Sequence, residues 1–406
     1  MVRLLISGFF IYHFTFDGLI VILPISLRQR GRKKNYYQKS MYPPPFPPPQ
    51  GGRVREGVRR SLLMGNKRIG ILGTGSFVPE RVLSNSDLGK ILNTDDEWIY
   101  KRTGIRERRI AAPNVNASDL AKEASLRAME MAEIYAKDLD LIILATITPD
   151  TCCPSGANWL EAKLGAERAV SFDVTAACCG FIFGLSVAEQ YLKAGTFKNV
   201  LVVASEIMSR CQDWTDRENC ILWGDGAGAA VLQAFDHSGK KEPLRDKGRE
   251  ISEVLSVHIH TDGANGENLL MPGGGSKTTP ISYESVDKKL HTLRMIKANE
   301  SVRVAVKRFA EATEEAASFN GIHLSDVKWI IPHQANSRIL QQMAKRLDIP
   351  FGKVYLTIER YGNISSATIP IALDEAVRNG SIQKGDLVIL NGFGGGLTWG
   401  SSLIRW

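Results

Sequence analysis

The amino-acid sequence predicts an α/β fold made of two related halves. From Met64 onward, short apolar runs alternate with segments whose apolar residues recur at helical spacing. This alternation is typical of proteins in which helices cover the faces of a sheet. Of the 406 residues, 44% are hydrophobic, which is enough to bury a large core in one or two domains.

Two stretches of the first half recur in the second. A helix followed by the strand-like run 138–145 resembles a helix followed by the run 326–333. Further along, the helix and strand of residues 186–203 resemble those of residues 372–389. We therefore expect two βα halves packed about a pseudo-two-fold axis.

The duplication brings two polar residues into register. Gly195 and Gly380 suit the left-handed residue that ends a helix. Cys178 and Asn363 each lie 17 positions before one of these glycines. We expect both residues in equivalent turns that meet in a central crevice, at the carboxyl ends of strands where α/β proteins bind ligands.

Three regions are predicted along the chain. Residues 1–63 form a non-core N-terminal extension, read first as disordered or a mis-called start before Met64 and second as a targeting peptide. Residues 64–247 form the half with the nucleophilic cysteine, and residues 248–406 form the half with the histidine and asparagine. The polar run 237–248 resembles a surface connection between the halves.

The charge distribution and the interrupted apolar run near the N-terminus argue against a nucleic-acid-binding protein and against a membrane-spanning one. The net charge is +8, but residues 1–63 hold eleven Lys and Arg against two acids, so the remaining 343 residues carry about −1. A fold that binds nucleic acid through a basic surface is not supported. His13, Asp17 and Pro24 interrupt the run 4–27, so it is a poor membrane span.

The six cysteines favour a reducing compartment. They occur as the pairs 152–153 and 178–179 plus Cys211 and Cys220, with no C-x-x-C. Adjacent cysteines cannot easily form a disulfide with each other or chelate one zinc ion. We expect reduced thiols, no metal site and a cytoplasmic protein.

Cys178, His333 and Asn363 are the candidate catalytic residues. Each is expected between a strand and a helix, where unpaired N–H groups and the helix dipole favour a thiolate over a thiol. Each also has an ordinary interpretation, as a buried core cysteine, a structural histidine and a turn asparagine. Cys179 is the alternative thiol, and a hydrolase in which His333 acts as a general base remains open.

Glycine-rich segments are weaker signals. The run 391–396 follows a strand and can bring N–H groups close to a ligand, as an oxyanion hole requires. The runs 73–78 and 226–231 fail the dinucleotide fingerprint and are read as tight turns. His258 and His260 form an H-x-H pair without a third ligand nearby in the sequence. The loop from 272 to 294 is long and polar enough to border a site or an interface, but the sequence does not assign it a role.

The motifs from Met64 to Trp406 resemble the β-ketoacyl-acyl carrier protein synthase III condensing enzymes. That family has the thiolase fold, in which two duplicated βα halves form an α-β-α-β-α core. The motifs that carry the resemblance are Asp96-Glu-Trp98-Ile, Arg102-Thr-Gly-Ile-Arg106, Asp173 to Phe181, Trp214-Thr-Asp-Arg217, Gly224-Asp-Gly-Ala-Gly228, His333-Gln-Ala-Asn336, Tyr361-Gly-Asn363 and Phe393 to Gly400.

The resemblance implies the initiating condensation of type II fatty acid biosynthesis, without a metal or redox cofactor. Acyl-CoA, typically acetyl-CoA, would acylate Cys178, and malonyl-acyl carrier protein (malonyl-ACP) would lose carbon dioxide and attack the acyl group. His333 and Asn363 would donate hydrogen bonds to the malonyl thioester. The N–H groups of Cys178 and Gly395 would form the oxyanion hole.

The resemblance also implies binding residues and a homodimer. Trp98 and Arg217 would sandwich the adenine of CoA, with Arg102 nearby. The carrier protein would contact residues of the His333 segment, namely Gln334, Arg338, Lys345 and Arg346.

Two positions differ from the usual family pattern. Ile364 stands where Thr is usual after the catalytic asparagine. Cys153 stands where many members place an aromatic residue that reaches across the dimer and, with Phe393, closes the acyl pocket. Primers longer than acetyl are therefore conceivable. The alternatives are a same-fold acyltransferase or condensing enzyme of secondary metabolism and, more remotely, a Rossmann-type oxidoreductase.

Overall fold

The computed structural model describes residues 67–236, 243–276, 281–296 and 298–406, together with four two-residue strands near the N-terminus. The chain divides into two compact units, residues 1–56 and 57–406. In the first unit, strand β1 (Leu5–Ile6) pairs with β2 (Phe9–Phe10), and β3 (Thr15–Phe16) pairs with β4 (Leu19–Ile20). The prediction for residues 1–63 otherwise lies outside the described residues. No described helix has the length and apolar character needed to cross a membrane.

The second unit alternates strands and helices as predicted. Its strands are β5 (Lys67–Phe77), β6 (Val82–Ser84), β7 (Glu107–Arg109), β8 (Leu141–Ala145), β9 (Val170–Val174), β10 (Asn199–Ile207), β11 (Asp225–Asp236), β12 (Arg245–Asp246), β13 (Arg249–Glu250), β14 (Ser252–Thr261), β15 (Leu269–Leu270), β16 (Arg294–Met295), β17 (Val327–Pro332), β18 (Leu387–Gly394) and β19 (Thr398–Arg405). Its helices are α1 (Asn85–Gly89), α2 (Asp96–Thr103), α3 (Ala117–Ala132), α4 (Gly156–Leu164), α5 (Gly180–Ala194), α6 (Tyr283–Asp287), α7 (Ala298–Phe319), α8 (Ser337–Arg346), α9 (Ile358–Tyr361) and α10 (Thr368–Arg378).

One nine-stranded sheet displays the duplication. Its order is β17-β18-β19-β14-β5-β11-β10-β8-β9. Strands β5 and β14 are neighbours in the middle of the sheet. From β5 the sheet continues through β11, β10 and β8, with two antiparallel pairings followed by a parallel one. From β14 it continues through β19, β18 and β17 with the same pattern. The predicted echo of residues 138–145 in 326–333 therefore corresponds to β8 and β17. The predicted boundary at 247–248 stays a prediction.

The layers follow from the burial of α5 and α10. Both helices pack against strands from the two sides of the sheet, and their apolar residues belong to the largest core cluster. Helices α3 and α4 cover the outer face of the first half, and α7 and α8 cover that of the second. The two halves of the one sheet thus form separate layers on either side of α5 and α10, which gives the order helix, sheet, helix, sheet, helix expected of the thiolase fold. Each central helix is followed by a left-handed glycine, Gly195 (φ 71°) and Gly380 (φ 77°), as predicted.

The glycine runs read as tight turns lie inside strands instead. Gly73 and Gly75 belong to β5, and Gly228 belongs to β11. A Cβ at Gly75 would lie 2.2 Å from the carbonyl oxygen of Ala124 in α3, and one at Gly228 would lie 2.8 Å from the backbone of α10. These glycines let helices approach the sheet closely. They therefore give no support to a dinucleotide-binding turn.

Candidate active site

Cys178 lies at the N-terminal end of a central helix, as predicted. A 3₁₀ turn over Ala177–Cys179 follows β9 and leads directly into α5. The thiol is 5% exposed and lines a cavity of about 390 Å³ together with His333 and Asn363. The structure therefore brings the three candidate residues to one cavity.

The expectation that the helix N-terminus yields a thiolate is wrong for the free chain. Burial raises the pKa of Cys178 to about 12. A hydrogen bond from the Ser365 hydroxyl, 3.6 Å from Sγ, acts in the opposite direction, whereas the nearby carboxyl of Glu206 raises the pKa further. Removal from water outweighs the local donors, so Cys178 is a neutral thiol near pH 7.

Cys179 is a core residue. It is fully buried, belongs to the cluster around α5, and does not line the cavity that holds Cys178. A Cβ at Gly392 would lie 2.7 Å from its Sγ, so β18 packs directly on it. Of the two adjacent thiols, only Cys178 faces a space that a substrate can enter.

His333 follows β17, as predicted, and is held by its backbone and its ring. Its N–H donates to the carbonyl of Asn391 in β18 at 2.7 Å. Nδ1 lies 2.7 Å from the hydroxyl oxygen of Thr368, the first residue of α10. Burial lowers the pKa of His333 to about 3, so the ring is neutral at physiological pH.

The ring nitrogen of His333 that carries the proton depends on which acceptor the Thr368 hydroxyl donates to. That hydroxyl has one hydrogen and two acceptors in reach, Nδ1 of His333 at 2.7 Å and the carbonyl oxygen of Ser365 at 3.1 Å. When it donates to Nδ1, the proton of the neutral ring is on Nε2. His333 then presents an N–H donor for a substrate oxygen.

Asn363 precedes a central helix but does not follow a strand. It comes after the short helix α9 and pairs with Trp223 through an isolated parallel bridge. Its side-chain oxygen accepts from the N–H of Ser365 at 2.8 Å. That bond fixes the amide so that its NH₂ remains available to donate.

The turn geometry corrects the predicted register of the two halves. Positive φ angles mark the start of each 3₁₀ turn, 45° at Ala177 and 47° at Ser365. By these turns the counterpart of Cys178 is Ser366, and Asn363 lies three residues earlier. The equal 17-residue spacing arose because Ser366 precedes Gly380 by 14 residues, three fewer than separate Cys178 from Gly195, and Asn363 lies three residues before Ser366. Proximity of Cys178 and Asn363 is nevertheless real, because both line one cavity.

Ser365 and Thr368 are site residues that sequence reasoning missed. Ser365 contacts two of the candidate residues, through its hydroxyl to Cys178 and its N–H to Asn363, and its carbonyl oxygen lies 3.1 Å from the Thr368 hydroxyl beside His333. The available signal was the run of Ser and Thr between Asn363 and the start of α10.

The glycine loop after β18 lies against the nucleophile. A Cβ at Gly394 would lie 2.6 Å from the backbone nitrogen of Cys178. Gly394 and Gly395 both line the cavity, and the Thr398 hydroxyl donates to the carbonyl of Ala176 at 2.9 Å. The loop is therefore held where an oxyanion hole beside Cys178 would have to be.

The predicted CoA residues cluster at the cavity mouth. Trp98 and Arg102 line the cavity, and the guanidinium carbon of Arg102 is 4.1 Å from the Trp98 ring centroid. That of Arg217 is 4.8 Å from the same centroid, while its Nη1 donates to the carbonyl of Asn93. A base stacked between Trp98 and Arg217 needs roughly 7–8 Å, twice a carbon contact distance, so Arg217 must move to admit one.

The segment from 281 to 296 reaches the site at its C-terminal end. Met295 and Leu269, from the paired strands β16 and β15, line the cavity. Asn219 donates to the carbonyl of Leu293 at 2.6 Å, and Lys289 pairs with Asp213 at 2.7 Å. The loop thus braces the segment that carries Arg217.

The carrier-protein residues divide into two groups. Arg338, Lys345 and Arg346 are exposed on α8, and Arg338 also reaches the cavity mouth. Gln334 is fully buried, with its amide donating to the carbonyls of Pro332 and Tyr355 and accepting from two N–H groups of residues 357–358. Gln334 supports the loop after β17 and cannot touch a carrier protein in this conformation.

The remaining candidates lie in different places. Phe393 lines the cavity, whereas Cys153 is exposed on the surface of the single chain. An exposed position is what a residue that reaches into a partner's pocket would need.

His258 and His260 both face Glu315 of α7, at 3.5 and 2.7 Å. Within the described part of the chain, no group of three or more His, Cys, Asp or Glu residues is arranged to hold a metal ion.

Comparison with known proteins identifies the family. The family model for 3-oxoacyl-[acyl-carrier-protein (ACP)] synthase III matches residues 172–263, and the model for its C-terminal part matches residues 317–406. A β-ketoacyl-[acyl-carrier-protein] synthase III of Desulfitobacterium hafniense is 46% identical over 338 residues, which cover 83% of this chain and 98% of the relative.

Solved structures agree with this assignment. The 3-oxoacyl-[acyl-carrier-protein] synthase III of Aquifex aeolicus is 40% identical, with a TM-score of 0.73 over 83% of this chain and 100% of that chain. The priming β-ketosynthase of the R1128 polyketide pathway is 33% identical, with a TM-score of 0.74 over 84% of this chain and 97% of that chain. The sequence identity, its extent and the shared fold show that this chain belongs to the β-ketoacyl-acyl carrier protein synthase III family.

Proposed function

We propose that this condensing enzyme takes an acyl group from acyl-CoA onto Cys178 and joins it to a two-carbon unit from malonyl-ACP. Membership of the family makes the protein an acyltransferase and the initiating condensing enzyme of fatty acid biosynthesis. The observation that carries the residue assignment is the convergence of Cys178, His333 and Asn363 on one cavity. Acetyl-CoA is the proposed primer.

Acylation begins with attack of Cys178 Sγ on the acyl carbonyl. The thiol is neutral in the free chain, so it must lose its proton as the new C–S bond forms, and the departing CoA sulfur leaves as a thiol. The N–H groups of Cys178 and Gly395 would bind the oxygen of the tetrahedral intermediate. One such donor contributes about 3–4 kcal/mol of transition-state stabilisation.

Condensation needs donors for a developing enolate. Malonyl-ACP would place its thioester oxygen against Nε2 of His333 and the NH₂ group of Asn363. Carbon dioxide departs, the electron pair moves toward that oxygen, and the α-carbon then attacks the acyl group on Cys178. The bond between the acyl carbon and Cys178 Sγ breaks, the sulfur takes up a proton from water to restore the neutral thiol, and 3-oxoacyl-ACP leaves. A neutral His333 suits this role because it donates a hydrogen bond without giving up a proton.

The basic face of α8 is the proposed carrier-protein contact. Arg338, Lys345 and Arg346 are exposed, and no salt bridge involves them among the described residues. An acidic carrier protein would be steered toward such a surface beside the cavity mouth.

We also propose a cytoplasmic homodimer. Strand β9 is an edge of the nine-stranded sheet, and Val170 on it is 51% exposed. Trp159 of α4, beside this edge, is 40% exposed. An open edge with apolar neighbours is a natural place for a second copy to pair. All six cysteines are free, which fits a reducing compartment.

A panel of acyl-CoA thioesters, read by intact mass, tests the proposal. The protein should gain a single acyl mass, mapped by peptide digestion to Cys178, and Cys178→Ser should gain none. Unlabelled protein with every thioester, or an adduct on another cysteine, would refute the assignment.

The R1128 relative motivates one alternative, a priming enzyme of polyketide synthesis that uses a longer starter. The same panel separates the two, because a preference for acyl chains longer than acetyl favours the alternative. Release of carbon dioxide from malonyl-ACP then distinguishes a condensing enzyme from an acyltransferase with another acceptor.

A further inference from the structure

A buried carboxyl group that the mechanism does not use lies beside the site. Glu206, near the end of β10, is fully buried. It contacts the turn before α10 through Ser366, and its charge raises the pKa of the Cys178 thiol. Burying an acid is costly unless hydrogen bonds compensate, so its partners indicate what it does.

Four groups hold this carboxyl. One oxygen accepts from the hydroxyls of Thr146 and Thr148, at 3.2 and 2.7 Å, and from the N–H of Ile147 at 3.1 Å. The other accepts from the hydroxyl of Ser366 at 2.8 Å. Glu206 therefore connects the loop after β8, in the first half, to the turn before α10, in the second half.

Ser366 is the structural counterpart of Cys178 and lies where the two turns meet. Its hydroxyl is 3.1 Å from the carbonyl oxygen of Ala145 in addition to the bond with Glu206. A Cβ at Gly180, the first residue of α5, would lie 3.2 Å from the Cβ of Ser366. Ser366 is thus bonded to the first half on one side and packed against the nucleophile's helix on the other.

The neighbouring residue depends on this anchor. Ser365 has a φ of 47°, a left-handed conformation that is strained for a residue with a side chain and that persists only where the surroundings hold it. From that conformation it contacts Cys178 and Asn363 directly, and its carbonyl oxygen lies 3.1 Å from the Thr368 hydroxyl, which is 2.7 Å from Nδ1 of His333. A small rotation of this turn would change all three contacts together.

We propose that Glu206 and Ser366 form a buried positioning pair that holds the Ser365 turn and so sets the relative positions of Cys178, His333 and Asn363. For turnover this inference rests on the proposed function. Neither residue touches the reacting atoms, so both act through Ser365.

Conservative and disruptive variants separate positioning from bulk stability. Ser366→Ala deletes the hydroxyl. Glu206→Gln can keep every bond, with its carbonyl oxygen toward Thr146 and Thr148 and its NH₂ donating to Ser366, whose hydroxyl then turns to Ala145. Glu206→Ala removes the anchor. Ser76→Ala is the matched control, because Ser76 also donates to a buried carboxylate on α10, that of Asp374 at 2.7 Å, away from the site.

The first readout is alkylation of Cys178 by iodoacetamide, which needs no acyl-CoA. Loss of the aligned Ser365 donor should slow alkylation about threefold or more in Ser366→Ala at a fixed pH. Ser76→Ala should stay within twofold of wild type, and Glu206→Gln should alkylate no more slowly than wild type, since removal of the nearby charge lowers the pKa of Cys178. An unchanged alkylation rate in Ser366→Ala would overturn the positioning role even if the proposed substrates were wrong.

The second readout is steady-state condensation. Ser366→Ala and Glu206→Ala should each lower kcat about tenfold while KM for acyl-CoA stays within twofold, and Glu206→Gln should restore most of kcat. The double Ala variant should be no slower than the slower single variant, because both remove one anchor. Losses of kcat that multiply in the double variant would refute the pair. If Glu206→Ala does not fold, the comparison of Ser366→Ala with Glu206→Gln tests the proposal instead. A wild type that alkylates normally but never accepts an acyl group would instead refute the proposed function.

Discussion

Nδ1 of His333 lies 2.7 Å from the hydroxyl oxygen of Thr368, and the two residues belong to different elements, the end of β17 and the start of α10. The hydroxyl can hold the ring in the tautomer that carries its proton on Nε2. A donor toward the malonyl thioester therefore depends on a residue outside the three proposed catalytic side chains.

Thr368→Val should slow decarboxylation selectively. The variant keeps the volume of threonine but loses the hydroxyl, so Nδ1 of His333 has no donor and the useful tautomer is no longer enforced. We expect malonyl-ACP decarboxylation to fall about 10- to 100-fold, less than the roughly 100- to 1,000-fold cost of removing such a donor outright, because the ring still adopts the useful tautomer part of the time. Acylation of Cys178 should stay within threefold. Thr368→Ser, which retains the hydroxyl, is the control; equal slowing in both variants would contradict the tautomer argument.

Alkylation of Cys178 in the free enzyme should accelerate with pH. Since burial raises the pKa of this thiol to about 12, the thiolate fraction grows about tenfold per pH unit below that value. Iodoacetamide labelling followed by intact mass from pH 7 to pH 9 measures this slope, with Cys178→Ser showing the background. A rate that levels off below pH 8 would mean that the thiol is already ionised.

Acid should destabilise the fold in part through His333. Its folded pKa is about 3, whereas the unfolded ring titrates near its usual 6.5, so between these values the unfolded chain binds the extra proton. The stability due to the neutral ring is complete above pH 6.5 and is lost progressively as the pH falls toward 3. Urea midpoints at pH 7 and pH 5 should differ more for wild type than for His333→Asn. Equal differences would show that the ring is not protonated on unfolding.

Gly394→Ala should abolish acylation. The new methyl group would lie 2.6 Å from the backbone nitrogen of Cys178, so either the glycine loop or the nucleophile turn must move. Because the proposed oxyanion hole needs both, we expect at least a 100-fold loss of acyl-adduct formation. Gly352→Ala is the matched control, since its methyl group would meet no atom within 4 Å. Normal acylation by Gly394→Ala would remove this loop from the oxyanion hole.

Arg217→Ala should weaken the use of acyl-CoA but not of malonyl-ACP. The guanidinium lies 4.8 Å from the Trp98 ring centroid and would stack on the adenine after it moves aside. A lost cation–π contact corresponds to about a three- to thirtyfold rise in KM for acetyl-CoA. Initial rates at varied concentrations of each substrate give the two KM values. A similar rise for malonyl-ACP would point to a general disturbance of the cavity.

The sequence predicted the fold and the three proposed catalytic residues because these depend on local patterns. Helix and strand periodicity, the glycines after α5 and α10, and the positions of Cys178 and His333 at strand ends are all readable from neighbours in the chain. The similarity between the two halves also predicted strands β8 and β17. The predicted equivalence of Cys178 and Asn363 was wrong. The extra residues between Asn363 and α10 offset the shorter length of α10, so the distances to the two helix-ending glycines came out equal.

What the sequence did not predict depends on distant contacts. Gln334 reads as an exposed polar residue next to a helix, yet it is buried because the backbone of residues 357–358 needs its side chain as an acceptor. Glu206 follows an apolar run, and the sequence near it contains no indication of its hydrogen-bond partner. That partner is Ser366, which only the folded chain brings beside it. The thiol pKa was misjudged for the same reason, since burial by other segments outweighs the local helix dipole.

The contact between Ser365 and Cys178 joins residues 187 positions apart in the chain. During synthesis the cysteine leaves the ribosome long before the serine that aligns it, and contacts of such high sequence separation form late in folding. An incomplete chain therefore carries the nucleophile without its donors. The hydrogen bond that Ser365 donates to the nucleophile therefore exists only after the second half has docked onto the first.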